Sequence, residues 1–462
     1  MTAPARPAVL GYGGYLPAWR VQVKGARGPQ RIAASFDEDA VTMAVEAVRR
    51  SGAGVPVDAL VLATTSPPYF DKTNASAIHA ALNLPRAVRA EDRIGTARST
   101  MSVLASRDPA STLLVAADVR VGRPGSSDER GGADAAAAVL LGAATENAPA
   151  LAEILATASV TAEALERWRT PDSPFASTWE ERFGYEHYLP MIDEVAHRAL
   201  SEAGLTQPDR VVITSPNSAV RKRAGARIPA GVETSGSPVG FAGAADPLLG
   251  LAHALDRAEP GETVLVISAA DGADAVVLRT TGALPGRRPE TSLAAQLGSE
   301  LEVPYTTYLS WRGLLEFEPP RRPEPDRVAG PPAARSADWK FGLRGSRCTA
   351  CRFVNLPPVR VCRSCGAVDA MEPVPVSELT GTTATYTVDR LAYSPSPPVV
   401  DVVVDFPEGG RATFEVADAR PDDLAVGAPL EMVFRRLVTA QGVHNYFWKA
   451  RQTAAPAVEE ER

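Results

Sequence analysis

Val264-Leu-Val-Ile-Ser268 runs into Asp271-Gly-Ala-Asp-Ala-Val-Val-Leu278, and far upstream Leu113-Leu-Val-Ala-Ala-Asp118 runs into Gly131-Gly-Ala-Asp-Ala-Ala-Ala-Ala-Val-Leu140. Both units read strand, turn, Gly-Ala-Asp-Ala, strand. One supersecondary pattern used twice predicts a duplicated α/β half. The surrounding chain agrees. Ala59–Ala63, Thr112–Ala116, Arg210–Thr214 and Thr263–Ser268 are short apolar runs bounded by turn residues. Helical patterns lie between them, over Asp37–Arg50, Ser76–Leu82, Met191–Ala203 and Asp246–Ala258. Asp246 reads as the N-cap of the last helix, with Pro247 at its first position. Strands alternating with helices predict an α/β architecture with buried sheets.

The composition narrows the class. The chain has 462 residues, 45% hydrophobic and 22% charged, which is ordinary for a globular protein of two or three domains. Its net charge of −7 argues against a nucleic-acid coat. Without an apolar run of about 18 residues, no membrane span is expected. The first residues lack the apolar core of a signal peptide, so a cytoplasmic location is expected.

All four cysteines fall within residues 348–365. Cys348-Thr-Ala-Cys351 and Cys362-Arg-Ser-Cys365 have the spacing of two zinc knuckles. Four thiolates select zinc over magnesium or calcium and close its shell, so the metal is expected to be structural. Upstream, Glu318–Arg335 is rich in Pro, Arg and Ala and reads as a linker without regular structure. Arg321, Arg322 and Arg327 read as solvated linker charges. Downstream, Thr382–Val388, Val399–Asp405 and Arg411–Val416 read as strands of a small all-β barrel. The expected divisions are 1–312 (halves about 1–150 and 151–312), linker 313–340, ribbon 341–372, barrel 373–452 and a disordered tail 453–462.

These pieces resemble a known family. The duplicated halves, Gly11-Tyr-Gly-Gly-Tyr-Leu-Pro17, Asp37-Glu-Asp-Ala-Val-Thr-Met-Ala-Val-Glu46 and Gly250-Leu-Ala-His-Ala-Leu-Asp-Arg-Ala-Glu-Pro-Gly261 look like the thiolase superfamily. The resemblance is to its hydroxymethylglutaryl-CoA-synthase-like and ketoacyl-synthase-III-like branch. Cys348 to Gly366, with Leu356-Pro-Pro358 and the later Tyr446-Phe-Trp-Lys449, resembles the zinc-ribbon plus OB-fold family found beside such proteins. The resemblance implies αβαβα layers, a CoA thioester substrate and a homodimer. It gives no reason to expect nucleic acid or membrane as a partner.

The resemblance also marks where this chain departs. The nucleophilic Cys of condensing members falls on Ala97 or Arg98. The family His-x-Pro falls on Thr214-Ser-Pro216, and the Gly-Asn pair on Gly240-Phe241. No Cys/His/Asn triad is expected. Two readings follow: aldol or retro-aldol chemistry on a β-hydroxyacyl thioester without an acyl-enzyme, or a non-catalytic acyl-CoA scaffold. An acyltransferase with an unrecognised nucleophile is a third. The candidate catalytic residues are Tyr69, Tyr185, His187 and Ser99. Asp71, Lys72, Phe241 and Thr214 are candidates for substrate binding, and the four cysteines for metal. Tyr69, Asp71 and Lys72 share the loop Ser66–Ala75, which reads equally well as a helix start capped by Thr73 or Asn74. Tyr185 and His187, in the cluster Phe183–Pro190 with Tyr188, read more readily as residues packing a dimer or tunnel wall, and Ser99 as a helix cap or a donor to a thioester oxygen. His197 and His253 read as structural, and the direction of His444 stays open.

Overall fold

The computed structural model describes residues 7–23, 25, 30–52, 54, 56–106, 108, 110–163, 165–299, 301–318 and 321–453. The expected tail lies outside them apart from Thr453. The chain forms two compact units. One comprises Met1–Ala34, Asp39–Ser76 and Pro85–Tyr305; the other comprises Ser35–Glu38, Ala77–Leu84 and Thr306–Arg462.

In the first unit the elements that matter are β1 (Pro7–Tyr15), α1 (Ala40–Arg50), β2 (Ala59–Thr64), β3 (Arg89–Ile94), α2 (Ala97–Leu104), β4 (Thr112–Asp118) and β5 (Ala135–Ala143). The second half supplies β6 (Ala152–Val160), α3 (Glu181–Glu202), β7 (Arg210–Thr214), α4 (Ser218–Gly225), β8 (Glu233–Ser235), α5 (Asp246–Leu255), β9 (Thr263–Ala269) and β10 (Ala273–Thr280). One ten-stranded sheet runs β8-β7-β9-β10-β6-β1-β5-β4-β2-β3. Read outward from its centre, each half has the same order: first strand, fifth, fourth, second, third. The directions repeat too. β2 is parallel to β3 and β4 as β7 is to β8 and β9, and β4–β5 and β9–β10 are both antiparallel. The duplication read from Gly-Ala-Asp-Ala is therefore real.

β2 and β9, each paired with a parallel neighbour inside this mixed sheet, are fully buried runs, as strands covered on both faces require, whereas the edge strands β3 and β8 are partly exposed. Leu248, Leu249, Leu251 and Leu255 of α5 pack with Leu114, Val212 and Val266 in the main core. Two helix expectations need correction. Asp246 is not an N-cap: it is the first residue of α5, after a 3-10 turn at Gly243–Ala245, and its buried carboxylate accepts from Ala242 N–H at 3.1 Å. The helix expected to begin at Met191 begins at Glu181 and runs through Pro190. Proline removes one ladder bond, and burial of Tyr188 and Leu189 on that stretch outweighs the loss. At the first helix, Asp39 forms a capping box with Thr42, so Asp37 and Glu38 are left out of it.

In the second unit, β11 (Arg344–Cys348), β12 (Val354–Asn355) and β13 (Met371–Pro375) form the ribbon sheet, and β14 (Gly381–Asp389), β15 (Val399–Asp405), β16 (Arg411–Glu415), β17 (Pro429–Ala440) and β18 (Val443–Gln452) form the barrel sheet. The barrel order is β16-β15-β14-β17-β18, and a Val416–Ala450 bridge joins its two ends. Phe434, Tyr446 and Trp448 fill the interior. Residues 330–335, expected to lack regular structure, form a short helix. Its prolines sit in the first turn, where the missing N–H costs nothing.

Candidate functional site

The site lies where β2, β4 and β7 end, beside the N-terminus of α2. In α/β sheets ligands gather at such carboxyl ends of strands. Asp118, fully buried at the end of β4, accepts from Thr64 Oγ1 (2.9 Å), Thr65 N (2.7 Å), Thr65 Oγ1 (2.9 Å), Ser66 Oγ (2.8 Å) and Ala244 N (2.6 Å). One carboxylate thus ties two strand ends to the turn before α5. The approach is so close that a Cβ on Gly243 would collide with it, and Gly243 also has φ +61°.

Two residues on, Arg120 donates to Thr65 Oγ1 at 2.8 Å and stacks on the Phe241 ring at 5.4 Å. Burial, with Arg167 and Arg169 adding to it, draws this guanidinium below its ordinary range against the pull of Asp118. Arg120 lines three adjoining cavities of about 220, 290 and 380 Å³. The 290 Å³ cavity is walled by Ala97, Glu166, Tyr188, Pro216, Phe241 and Asp271, among others. Tyr188 Oη accepts from Asp271 N–H at 3.0 Å, and burial pushes the phenol up to about 12, so it is protonated at neutral pH. Arg98, next to Ala97, reaches away to Asp274 (3.3 Å) and Ser159 (2.9 Å).

Of the residues expected from sequence, Phe241 lines this space. Thr214 is buried and donates to Ile267 O at 3.3 Å. Ser99 lies in the first turn of α2, donating its backbone N–H to Thr96 O at 3.0 Å. The loop holding Tyr69 is closed by Asn74, which accepts from Tyr69 N and donates to Tyr69 O. Asp71 and Lys72 are exposed there, with Lys72 Nζ on Thr73 O (3.0 Å) and Ser76 Oγ (2.9 Å). Tyr185 carries the Arg223 guanidinium on its ring at 3.8 Å, and His187 packs edge-on to Tyr188. None of these seven is among the residues lining the three cavities. Arg120, Glu166, Arg167, Tyr188 and Asp271 do line them and were missed. Tyr188 shares α3 with Tyr185 and His187, and only the register of that helix separates it from them.

The ribbon is a second site. All four Sγ atoms lie within 4.8 Å of one another, with 3.6 Å between Cys348 and Cys365 and 3.7 Å between Cys351 and Cys362. A tetrahedral shell with Zn–S of about 2.3 Å has edges of about 3.8 Å, so the thiolates fit one structural metal ion. Each knuckle ends on a left-handed residue, Arg352 (φ 67°) and Gly366 (φ 77°).

Comparison with known proteins agrees with both descriptions. Residues 342–372 match the family model of the ChsH2 rubredoxin-like zinc ribbon domain, and 373–435 that of the ChsH2 C-terminal OB-fold domain. The hydroxymethylglutaryl-CoA synthase of Methanopyrus kandleri is 27% identical over 354 residues, 69% of this chain and all of that protein. Among solved structures, PksG, an HMG-CoA synthase of Bacillus subtilis, aligns with a TM-score of 0.57 at 17% identity, over 67% of this chain and 89% of its own. An HMG-CoA synthase complexed with CoA aligns with a TM-score of 0.55 at 14% identity, over 66% of this chain and 89% of its own. The first unit has the thiolase fold, and the chain resembles hydroxymethylglutaryl-CoA synthases joined to a zinc ribbon and an OB-fold. Among the described residues, no helix is long and apolar enough to cross a membrane.

Proposed function

We propose that this protein makes or breaks a C–C bond in a β-hydroxyacyl-CoA thioester by aldol or retro-aldol chemistry, without a covalent acyl-enzyme. One observation carries the reading: the cavity at the start of α2 is walled by Ala97 and Phe241, where the resemblance calls for a thiol and an amide, and the position it gives to an imidazole is Thr214, which is buried outside that cavity's lining. All four thiols of the chain are in the ribbon. Aldol chemistry needs no nucleophilic side chain, only a base for the hydroxyl and a cation or N–H donors for the thioester enolate. Arg120 is suited to the second task, since among the described residues its guanidinium donates one hydrogen bond, to a neutral hydroxyl. Relatives named for a CoA thioester, one of them solved with CoA, support that substrate class. A ribbon of reduced thiolates accords with a cytoplasmic location.

Incubation with short acyl-CoAs is expected to leave the intact mass unchanged, while a 3-hydroxyacyl-CoA is cleaved to a carbonyl compound and a shorter thioester. An acylated peptide containing Ser99 would overturn the mechanism. Binding of thioesters with no turnover across a broad panel would favour the scaffold.

A homodimer belongs to the same reading. β3 is an edge strand with its outer backbone groups unpaired in the sheet, and an open edge invites a second copy. Light scattering at micromolar concentration should give twice the chain mass; a monomer there refutes the dimer.

A further inference from the structure

We propose that Glu166 is the catalytic base of this cavity and that Asn217 is the residue that positions it. The inference rests on the aldol reading above and deepens it. A base must face the cavity, accept a proton at neutral pH and be held in one place. Tyr188 fails the second condition, because its phenol keeps its proton until about pH 12. His187 does not line the cavity. Glu166 lines both the 220 and the 290 Å³ cavities.

Its position is over-determined. Asn217 Nδ2 donates to Glu166 Oε1 at 2.9 Å. The other end of that amide, Oδ1, caps α4 by accepting from Ala219 N (3.0 Å) and Val220 N (3.2 Å). Only an oxygen can accept those two bonds, so the cap fixes the amide with its NH₂ toward Glu166. The pair also needs Gly184 on α3, where a Cβ would collide with Asn217 Nδ2 and crowd Glu166 Oε1 at 2.7 Å. Glu166 Oε2 has no hydrogen bond among the described residues, which leaves one carboxylate oxygen for substrate. Arg120 and Arg167 line the same two cavities and place two guanidinium groups in the space that Glu166 faces.

In the cleavage direction the step balances without a co-reactant. Glu166 Oε2 takes the proton of the β-hydroxyl as the C–O bond becomes a carbonyl. The Cα–Cβ bond breaks, and its electron pair passes into the thioester enolate. The protonated Glu166 then returns the proton to Cα, giving the shorter thioester. Condensation is the reverse, beginning with removal of a Cα proton by the carboxylate.

The test compares wild type, Glu166→Gln, Glu166→Asp and Asn217→Asp on a 3-hydroxyacyl-CoA panel, with two further measurements. These are CoA-thioester binding by calorimetry and solvent-deuterium incorporation at Cα of the shorter acyl-CoA. Loss of a positioned base should lower kcat/KM by ~10²–10⁴-fold in Glu166→Gln, with binding unchanged and Cα exchange abolished. Glu166→Asp should recover part of both. Asn217→Asp keeps the cap but sets a second carboxylate against the base, so the acid limb of the kcat/KM profile should move to higher pH. If wild type cleaves the panel and folded Glu166→Gln cleaves it equally well, Glu166 is not the base and the aldol reading stands. If wild type cleaves nothing but exchanges Cα deuterium in a Glu166-dependent way, the base stands and the aldol reading falls. If wild type binds thioesters and does neither, both fall. Should Glu166→Gln not fold, Glu166→Asp and the Asn217→Asp profile decide by the same criteria.

Discussion

Cys362→Ser is expected to reduce bound zinc from about one equivalent per chain to none and to unfold the ribbon. Cys348 and Cys362 are buried and the other two ligands exposed, so the metal replaces a hydrophobic core that this short segment lacks. Zinc held by four thiolates contributes roughly 10–16 kcal/mol at pH 7 in small zinc modules. No packing in a three-stranded ribbon sheet makes that up. Hydrogen exchange should show protection lost over 342–372 while β4, β5, β9 and β10 keep theirs. A strong chelator should do the same to wild type, reversibly on adding zinc. A metal-free protein with a protected ribbon would refute the zinc assignment.

Arg435→Met should destabilise the second unit by about 3–5 kcal/mol, the cost of stranding buried charges. Arg435 on β17 has no exposed side-chain surface and contacts Asp418 (2.7 Å), Glu38 (3.3 Å) and Asp37 (3.8 Å). Lys449 on β18, also buried, meets Asp37 (2.9 Å) and Glu415 (2.8 Å). Removing Arg435 takes a buried cation from Glu38 and Asp418, leaving Arg451 (3.4 Å) beside Asp418 and Ser35 N–H (2.9 Å) on Glu38. Denaturant unfolding followed by barrel tryptophan fluorescence measures the loss; a change below 1 kcal/mol would mean that the cluster rearranges.

The same cluster sets a pH dependence. Burial pushes the Asp37 carboxyl up, but Lys449 and Arg435 more than reverse this, so it ionises below the ordinary carboxylate range. Burial likewise lowers Lys449, and Asp37 and Glu415 carry it above its ordinary value. The Asp37 contribution is therefore complete above about pH 4 and lost as pH falls through its lowered value. The Lys449 contribution is complete below about pH 10 and lost as pH rises through its raised value. Between those limits the cluster holds.

The metal ligands and the duplicated sheet were legible in the sequence because their signals are local. Cys-x-x-Cys spacing puts two thiolates on one knuckle whatever surrounds it, and a buried parallel strand must be a continuous apolar run. The positions that the resemblance aligns with a thiol, an imidazole and an amide could be named as Ala97 or Arg98, Thr214 and Phe241, since a motif can be compared residue by residue. The residues that share a cavity with Ala97 and Phe241 could not. Glu166, Arg120 and Tyr188 come from an irregular segment, a strand end and a helix, and nothing in their sequence spacing brings them to one cavity. The ion cluster was equally hidden: Asp37 read as part of a helix until Asp39 took the cap, and its partners Arg435 and Lys449 lie about 400 residues away. Chain-local rules decide which strands and knuckles form. Which side chains share a cavity or a buried charge network depends on contacts between segments distant in sequence, and these exist only once the sheets have closed.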